Sequence, residues 1–162
     1  MIILKKITKD HVNECFNLLK NNDLDFVNFT NIGWSTNQFK SQLESKLNYS
    51  LGAYLEKKLV GFMIGELISI EKESDYEILL LYVNKKNRNK GIASKFLNFI
   101  INKKENFNLK KIYLEVASNN YEAIQFYKKN KFKIINTRKD YYFLSKDKID
   151  AICYLRQIWV IF

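Results

Sequence analysis

The chain has 162 residues, 47% of them hydrophobic, and a formal net charge of +10, which suits one domain that buries about two thirds of its unfolded surface and leaves no need for a second. Of the 27 Lys and Arg only Arg88, Arg138 and Arg156 are Arg. Specific base and phosphate recognition leans on the bidentate fork of Arg, so the even spread of Lys reads as compositional bias and nucleic-acid binding is not expected, though a basic surface steers polyphosphates toward it.

Cys15 and Cys153 lie far apart with no metal-type spacing, so free buried thiols in a reducing compartment and no metal site are expected. The opening "MIILKKITKD" is too short an apolar run for a signal peptide, and no window approaches the roughly 18 apolar residues of a membrane span. A cytoplasmic chain, neither secreted nor inserted in a membrane, is the expectation.

With no proline in the chain, boundaries come from caps, glycines and periodicity. Thr8 caps a helix through about Lys20, with Val12, Phe16 and Leu19 on one face. In "WSTNQFKSQLESKL" Ser35 and Gln38 form a capping box ahead of the stripe Phe39, Leu43, Leu47. "LGAYLE", a turn at "KK" and "LVGFMIGELISI" predict a hairpin, and "YEILLLYV" a strand buried on both faces. From Gly91 the rows Ile92, Phe96, Ile100 and Ala93, Leu97, Ile101 predict a helix to about Lys104. The strand "KIYLEVA" follows, then a short helix capped at Asn119 with Glu122 three residues on, and the strands "FKIINTR" and "DAICYLRQI". Alternating strands and helices in this half predict an α/β protein with a mixed sheet and helices on both sides.

The loop "VNKKNRNKGIASKFL" carries the chemistry. A strand ending at Val83 and a helix opened by Gly91 bring free backbone N–H groups and the positive end of a helix dipole to one point, an anion site. Ala93 keeps the next contact small, and Lys85, Lys86, Arg88 and Lys90 supply counter-charge.

Arg88, Gly91 and Ala93 match Q/R-x-x-G-x-G/A, the acyl-CoA signature of the GCN5-related N-acetyltransferase superfamily, which this sequence resembles. "LEV" at Leu114 to Val116 and "SNNYEAIQFYKKNKF" continue the likeness in order. "WSTNQF", "RKDYY" and "DAI" are similar to segments of the ribosomal-protein-alanine acetyltransferase branch. The resemblance implies the acetyltransferase fold and acetyl-CoA as co-substrate. The diphosphate of acetyl-CoA would lie on the backbone of Asn89, Lys90, Gly91, Ile92, Ala93 and Ser94, with Arg88 beside it. The thioester arm would lie along Leu81, Tyr82 and Val83, and Asn120 would touch the cofactor. It further implies Glu115 as general base and Tyr127, twelve residues on, as general acid, with Trp34, Tyr141 and Tyr142 lining a groove for the acceptor, a protein N-terminus such as the N-terminal alanine of a ribosomal protein. Another N-terminus, a lysine or a small amine stays open as acceptor, as does a non-catalytic binding module.

Elementary energetics agree with such a pair. A carboxylate near 4.3 takes a proton from an α-ammonium group at a cost of about 5 kcal/mol and from a lysine at about 8, and a phenol gives one to a thiolate at about 2. On the strand, Tyr113 and Glu115 face away from Ile112, Leu114 and Val116. The +10 charge counts against a basic peptide unless the acidic residues Glu66, Glu71, Glu73, Asp75 and Glu77 cluster beside the acceptor groove. One departure is Lys131, where the family has a glycine; Asn130 is expected to take over the left-handed helix end. His11, the only histidine, reads as a surface residue, and "IWVIF", Ile158 to Phe162, as an added strand or an edge for a partner.

Overall fold

The computed structural model describes residues 1–144 and 146–159. Seven strands, β1 (Ile2–Ile7), β2 (Ser50–Leu55), β3 (Lys58–Ile70), β4 (Glu73–Val83), β5 (Leu109–Ala117), β6 (Lys133–Leu144) and β7 (Asp147–Gln157), form a sheet in the order β1-β2-β3-β4-β5-β7-β6. Among the described residues only β4 and β5 pair in parallel, across the connection that carries α4 (Ile92–Asn102) and α5 (Lys104–Phe107). The sheet is mixed and both faces are covered, as the alternation of elements predicts.

The period of two in the strands sorts side chains into two cores. On one face Phe62 and Ile64 of β3 pack against α1 (Val12–Lys20), α2 (Asp23–Asn31) and α3 (Thr36–Glu44), around Phe16, Phe29 and Phe39. On the other, Met63, Ile78, Leu114 and Val116 pack against Phe96 and Ile100 of α4 and against Ile124 and Tyr127 of α6 (Tyr121–Lys129).

The sequence reading misses β1, which pairs with β2 at the sheet edge, and α2, whose stripe is weak because Leu24 and Val27 face solvent. Its start was nonetheless signalled: Asn22 caps it by accepting from Asp25 N at 3.1 Å, with Asp23 and Asp25 in the first turn. Thr8 caps a single 3-10 turn before α1 and not the helix itself. The β2–β3 turn falls on Glu56 and Lys57, both at positive φ. Asn120, not Asn119, caps α6, accepting from Ala123 N at 3.2 Å. Lys131 itself adopts φ 66° while Asn130 stays at φ −90°, so the helix end has not moved to Asn130. Gln157 ends β7; Ile158 is buried and donates its N–H to Lys110 O, while 160–162 of the predicted tail lie outside the described residues.

The feature that positions the site lies in β4. Ile64 pairs with Leu80 and Gly65 with Ile78, so Leu79 is an extra residue, a bulge that bends the strand and raises its twist. Leu79 and Leu80 consequently both meet the α1–α3 face, while Leu81 and Val83 turn toward α4. The pairing of β4 with β5 stops at Ile78 and Leu114, and the two strands run on separately to Val83 and Ala117.

Candidate functional site

Where β4 and β5 separate, a cleft of about 800 Å³ opens and reaches through the sheet, from α6 and the start of α4 on one face to α2 on the other. Strand backbone that has lost its neighbour lines it at Leu81, Tyr82 and Val83. Its far wall is made by Ala117, Asn120, Ala123 and Tyr127.

The loop after β4 makes the cleft's end. A 3-10 turn over Lys85–Asn87 leads to Asn89 at φ 60° and Gly91 at φ 75°, the residue that caps α4. Among the described residues no side chain caps this helix, so the N–H groups of Ile92, Ala93 and Ser94 have no partner there and point, with the helix dipole, at the cleft. A Cβ at Gly91 would meet no atom within 4 Å, so the glycine answers to its left-handed backbone and leaves open room above the amides. Free donors, a dipole and room together suit a diphosphate.

Arg88, Asn89, Gly91, Ile92, Ala93 and Ser94 all line the cleft, as does Asn120. Lys90 is not among the lining residues; it is exposed, with Nζ 3.5 Å from Asn87 Oδ1. Lys85 and Lys86 are exposed. Arg88 does more than supply charge: Nη2 donates to Asp25 Oδ2 at 2.7 Å and Nε to Val83 O at 2.9 Å. Asn120 spends Oδ1 on its cap, which leaves its NH₂ free to donate.

Glu115 and Tyr127 stand on opposite faces. Tyr127 is buried among Phe126, Phe132 and Tyr154 and opens on the cleft; burial pushes its phenol above the ordinary range. Glu115 faces the side of α1–α3, beyond the ground those helices cover, with Oε1 3.1 Å from Arg138 Nε and 3.5 Å from Cys153 Sγ. Tyr142 is close by, and burial followed by the Glu115 carboxylate pushes its phenol up to about 12. Tyr141 meets Tyr142 edge-on at 5.0 Å and lies under the Arg138 guanidinium. Trp34 is apart, stacked on Phe29 at 6.0 Å and edge-on to Phe39; it buttresses α2. His11 accepts from Thr8 N through Nδ1 and closes the first turn.

Two residues matter here beyond what the sequence reading gives them: Glu77, which it names only among the carboxylates that could flank the acceptor groove, and Asp25, which it does not name. Glu77 pairs across β4 and β3 with Glu66 and across β4 and β5 with Tyr113, which puts it on the Glu115 face. Desolvation, then the charges of Glu66 and Glu115, raise its carboxyl pKa. Its signal was a single carboxylate in the otherwise apolar "EILLLYV". The other is Asp25, hidden in the helix that went unrecognised. Cys15 and Cys153 are both free and buried, and no helix among the described residues is long and apolar enough to cross a membrane.

Among solved structures, the ribosomal-protein-S18-alanine N-acetyltransferase of Escherichia coli superposes with a TM-score of 0.82 at 17% identity over 99% of this chain and 96% of that one. Arabidopsis thaliana NAA60 in complex with a bisubstrate analogue gives 0.79 at 17% identity, covering 98% of this chain and 99% of that one. Arabidopsis thaliana Naa50 in complex with the bisubstrate analogue CoA-Ac-MVNAL gives 0.76 at 23% identity, covering 96% and 97%. At these identities the likeness is one of fold. The model of the acetyltransferase (GNAT) family matches residues 13–132, which span the β4 bulge, the glycine-opened helix and the cleft between the parted strands: this chain belongs to the GNAT acetyltransferase family.

Proposed function

We propose that this chain is a single cytoplasmic domain that transfers the acetyl group of acetyl-CoA to the α-amino group of a protein N-terminus, foremost the N-terminal alanine of a ribosomal protein. The observation that carries this reading is the passage through the sheet, with a diphosphate-type loop at one end and carboxylates on the face beyond it. Acetyl-CoA supplies the thioester; the chain's residues bind, orient and move protons. Amides of Ile92 to Ser94 hold the diphosphate, and the free edge of Leu81 to Val83 holds the arm by strand-like hydrogen bonds.

The acceptor amine comes from the other face. Glu115 takes its proton, with Glu77 beside it as a second acceptor, and Tyr127 gives a proton to the departing sulfur. The raised proton affinity of Glu77 lowers the cost of taking a proton from an α-ammonium group, by about 1.4 kcal/mol for each unit that separates the two pKa values less. Glu66 and Glu77 stand beside Glu115 on this face, so the basic net charge of the chain does not bar a basic peptide. Glu73 is drawn instead to Lys110 at 3.7 Å.

Thiol release from acetyl-CoA against peptides beginning with Ala, Ser or Met, or carrying an internal Lys, tests this. Turnover is expected on the N-terminal amines, best on Ala, and to fall in Glu115→Gln and Tyr127→Phe. A preference for the internal Lys or for a small amine would move the assignment to another acceptor, and CoA binding without turnover on any amine would make the chain a binding module.

A further inference from the structure

We propose that Asp25 is a positioning residue that couples the two ends of the cleft: by gripping Arg88 it lets an anion on the glycine-opened loop steady α2, the wall on the acceptor side. The proposal rests on the cofactor assignment above. α2 is weakly held by apolar packing, since Phe29 is its one fully buried residue while Leu24 is 68% and Val27 49% exposed. Its polar anchor is Asp25, whose Oδ2 accepts from Arg88 Nη2 at 2.7 Å and from the Tyr82 hydroxyl at 3.0 Å. Both partners belong to the end of β4 and the loop beyond it, and Arg88 is 63 residues from Asp25 in sequence.

The pair is shielded, with side-chain exposures of 35% for Arg88 and 13% for Asp25, and Arg88 Nε is fixed on Val83 O. Charge-assisted bonds of this length, partly withdrawn from water, are stronger than surface ion pairs. Three of the guanidinium's five N–H groups, two on Nη1 and one on Nη2, have no protein acceptor among the described residues, and Arg88 lines the cleft. It can therefore meet an anion without releasing Asp25. That geometry sets the sign of the coupling: an occupied loop holds Arg88 still, and Arg88 holds α2.

The test is amide hydrogen exchange of α2 in the full chain with and without 3′-phosphoadenosine diphosphate, which has the diphosphate end of CoA but no thioester arm to reach α2 directly. In the wild type the ligand is expected to slow exchange at Ile92 to Lys95 and also, by about fivefold or more, at Phe26 to Ile32. In Asp25→Asn the α2 response is expected to drop below about twofold while the response at Ile92 to Lys95 stays, and Asp25→Glu should restore part of it. A wild-type α2 that does not respond or exchanges faster, or an α2 response untouched by Asp25→Asn, overturns the coupling. Absence of protection at Ile92 to Lys95 instead overturns the cofactor assignment and takes the coupling with it. The wild-type measurement decides even where a variant fails to fold.

Discussion

Substitution of Gly91 separates a diphosphate site from an ordinary turn. At φ 75° the residue is left-handed, and an added Cβ meets no atom within 4 Å, so the fold loses only backbone strain. For Ala that strain is about 1–2 kcal/mol, offset by about 0.4–1 kcal/mol because the unfolded chain loses glycine's freedom. The net loss is about 1 kcal/mol. Asn tolerates this conformation better, as Asn89 does at φ 60° two residues earlier, so Gly91→Asn is nearly neutral for stability. Binding responds differently. A side chain at Gly91 occupies the room above the amides of Ala93 and Ser94, and loss of two charge-assisted hydrogen bonds at about 1.5 kcal/mol each costs about 3 kcal/mol, or more than a hundredfold in Kd. Calorimetric titration with acetyl-CoA beside urea unfolding reads both. The expected result for Gly91→Asn is stability within about 0.5 kcal/mol of wild type and affinity lower by about a hundredfold. An Asn variant that binds acetyl-CoA within about threefold of wild type would refute the reasoning and leave Gly91 as a turn residue.

Three further outcomes are expected. Lys131→Gly relieves a left-handed lysine at φ 66° and stabilises by about 0.5–1 kcal/mol, read as a rise in urea midpoint at unchanged slope. Tyr127→Phe lowers kcat about a hundredfold or more while the Kd of acetyl-CoA stays within about twofold; because burial holds the phenol protonated above its usual range, the wild-type kcat should show no alkaline fall up to about pH 10. Glu77 carries a carboxyl whose pKa is raised in the fold by desolvation and by Glu66 and Glu115, so its ionised form opposes folding above the folded pKa and the penalty vanishes below the unfolded pKa of about 4.3. Glu77→Gln should accordingly raise the melting temperature at pH 7 and leave it unchanged near pH 4, and an effect of the opposite order would exclude the burial of that charge.

The proposed cofactor end of the cleft has a local signature in the sequence and the proposed acceptor end has none, for a physical reason. The loop works through backbone: a glycine at a left-handed position and a helix start with no cap leave a compact local pattern, and Arg88, Gly91 and Ala93 reveal it within six residues. The proposed acceptor face is assembled from Glu66, Glu77, Glu115, Arg138 and Tyr142 on four strands; Glu115 and Tyr142 are named from the resemblance alone, and each of the five looks locally like an ordinary solvent-facing strand residue. Only the register brings them together. α2 escaped for the same reason, since beyond the anchor Phe29 its hold on the molecule rests on the Asp25 to Arg88 bond and not on a full apolar stripe. The Leu79 bulge leaves little local mark, because an extra residue in the apolar run Ile78 to Val83 alters no pattern; Gly65 opposite Ile78, where a Cβ would collide with the Tyr76 hydroxyl, is the nearest thing to a signal.

The parting of β4 from β5 also fits the roles proposed above, in which Tyr127 as acid and Glu115 as base serve one reaction without quenching each other. Val116 and Leu114 face α6 while Glu115 between them faces away, so the sheet stands between its carboxylate and the Tyr127 phenol. Had both faced one side, the phenol would donate its proton to the carboxylate in a short hydrogen bond, and each would be spent on the other before either substrate arrived. An intact sheet would separate them completely and leave no common reactant. Because β4 abandons β5 after Ile78, the proposed mechanism would let an amine on one face and a sulfur on the other meet in the gap, with the base behind the nucleophile and the acid behind the leaving group. The proton taken from nitrogen and the proton given to sulfur then never need to cross the same side chain. Closing the gap by removing the bulge, with Leu79 deleted so that β4 pairs evenly with β3, should therefore abolish turnover while the loop around Gly91 still binds the diphosphate fragment.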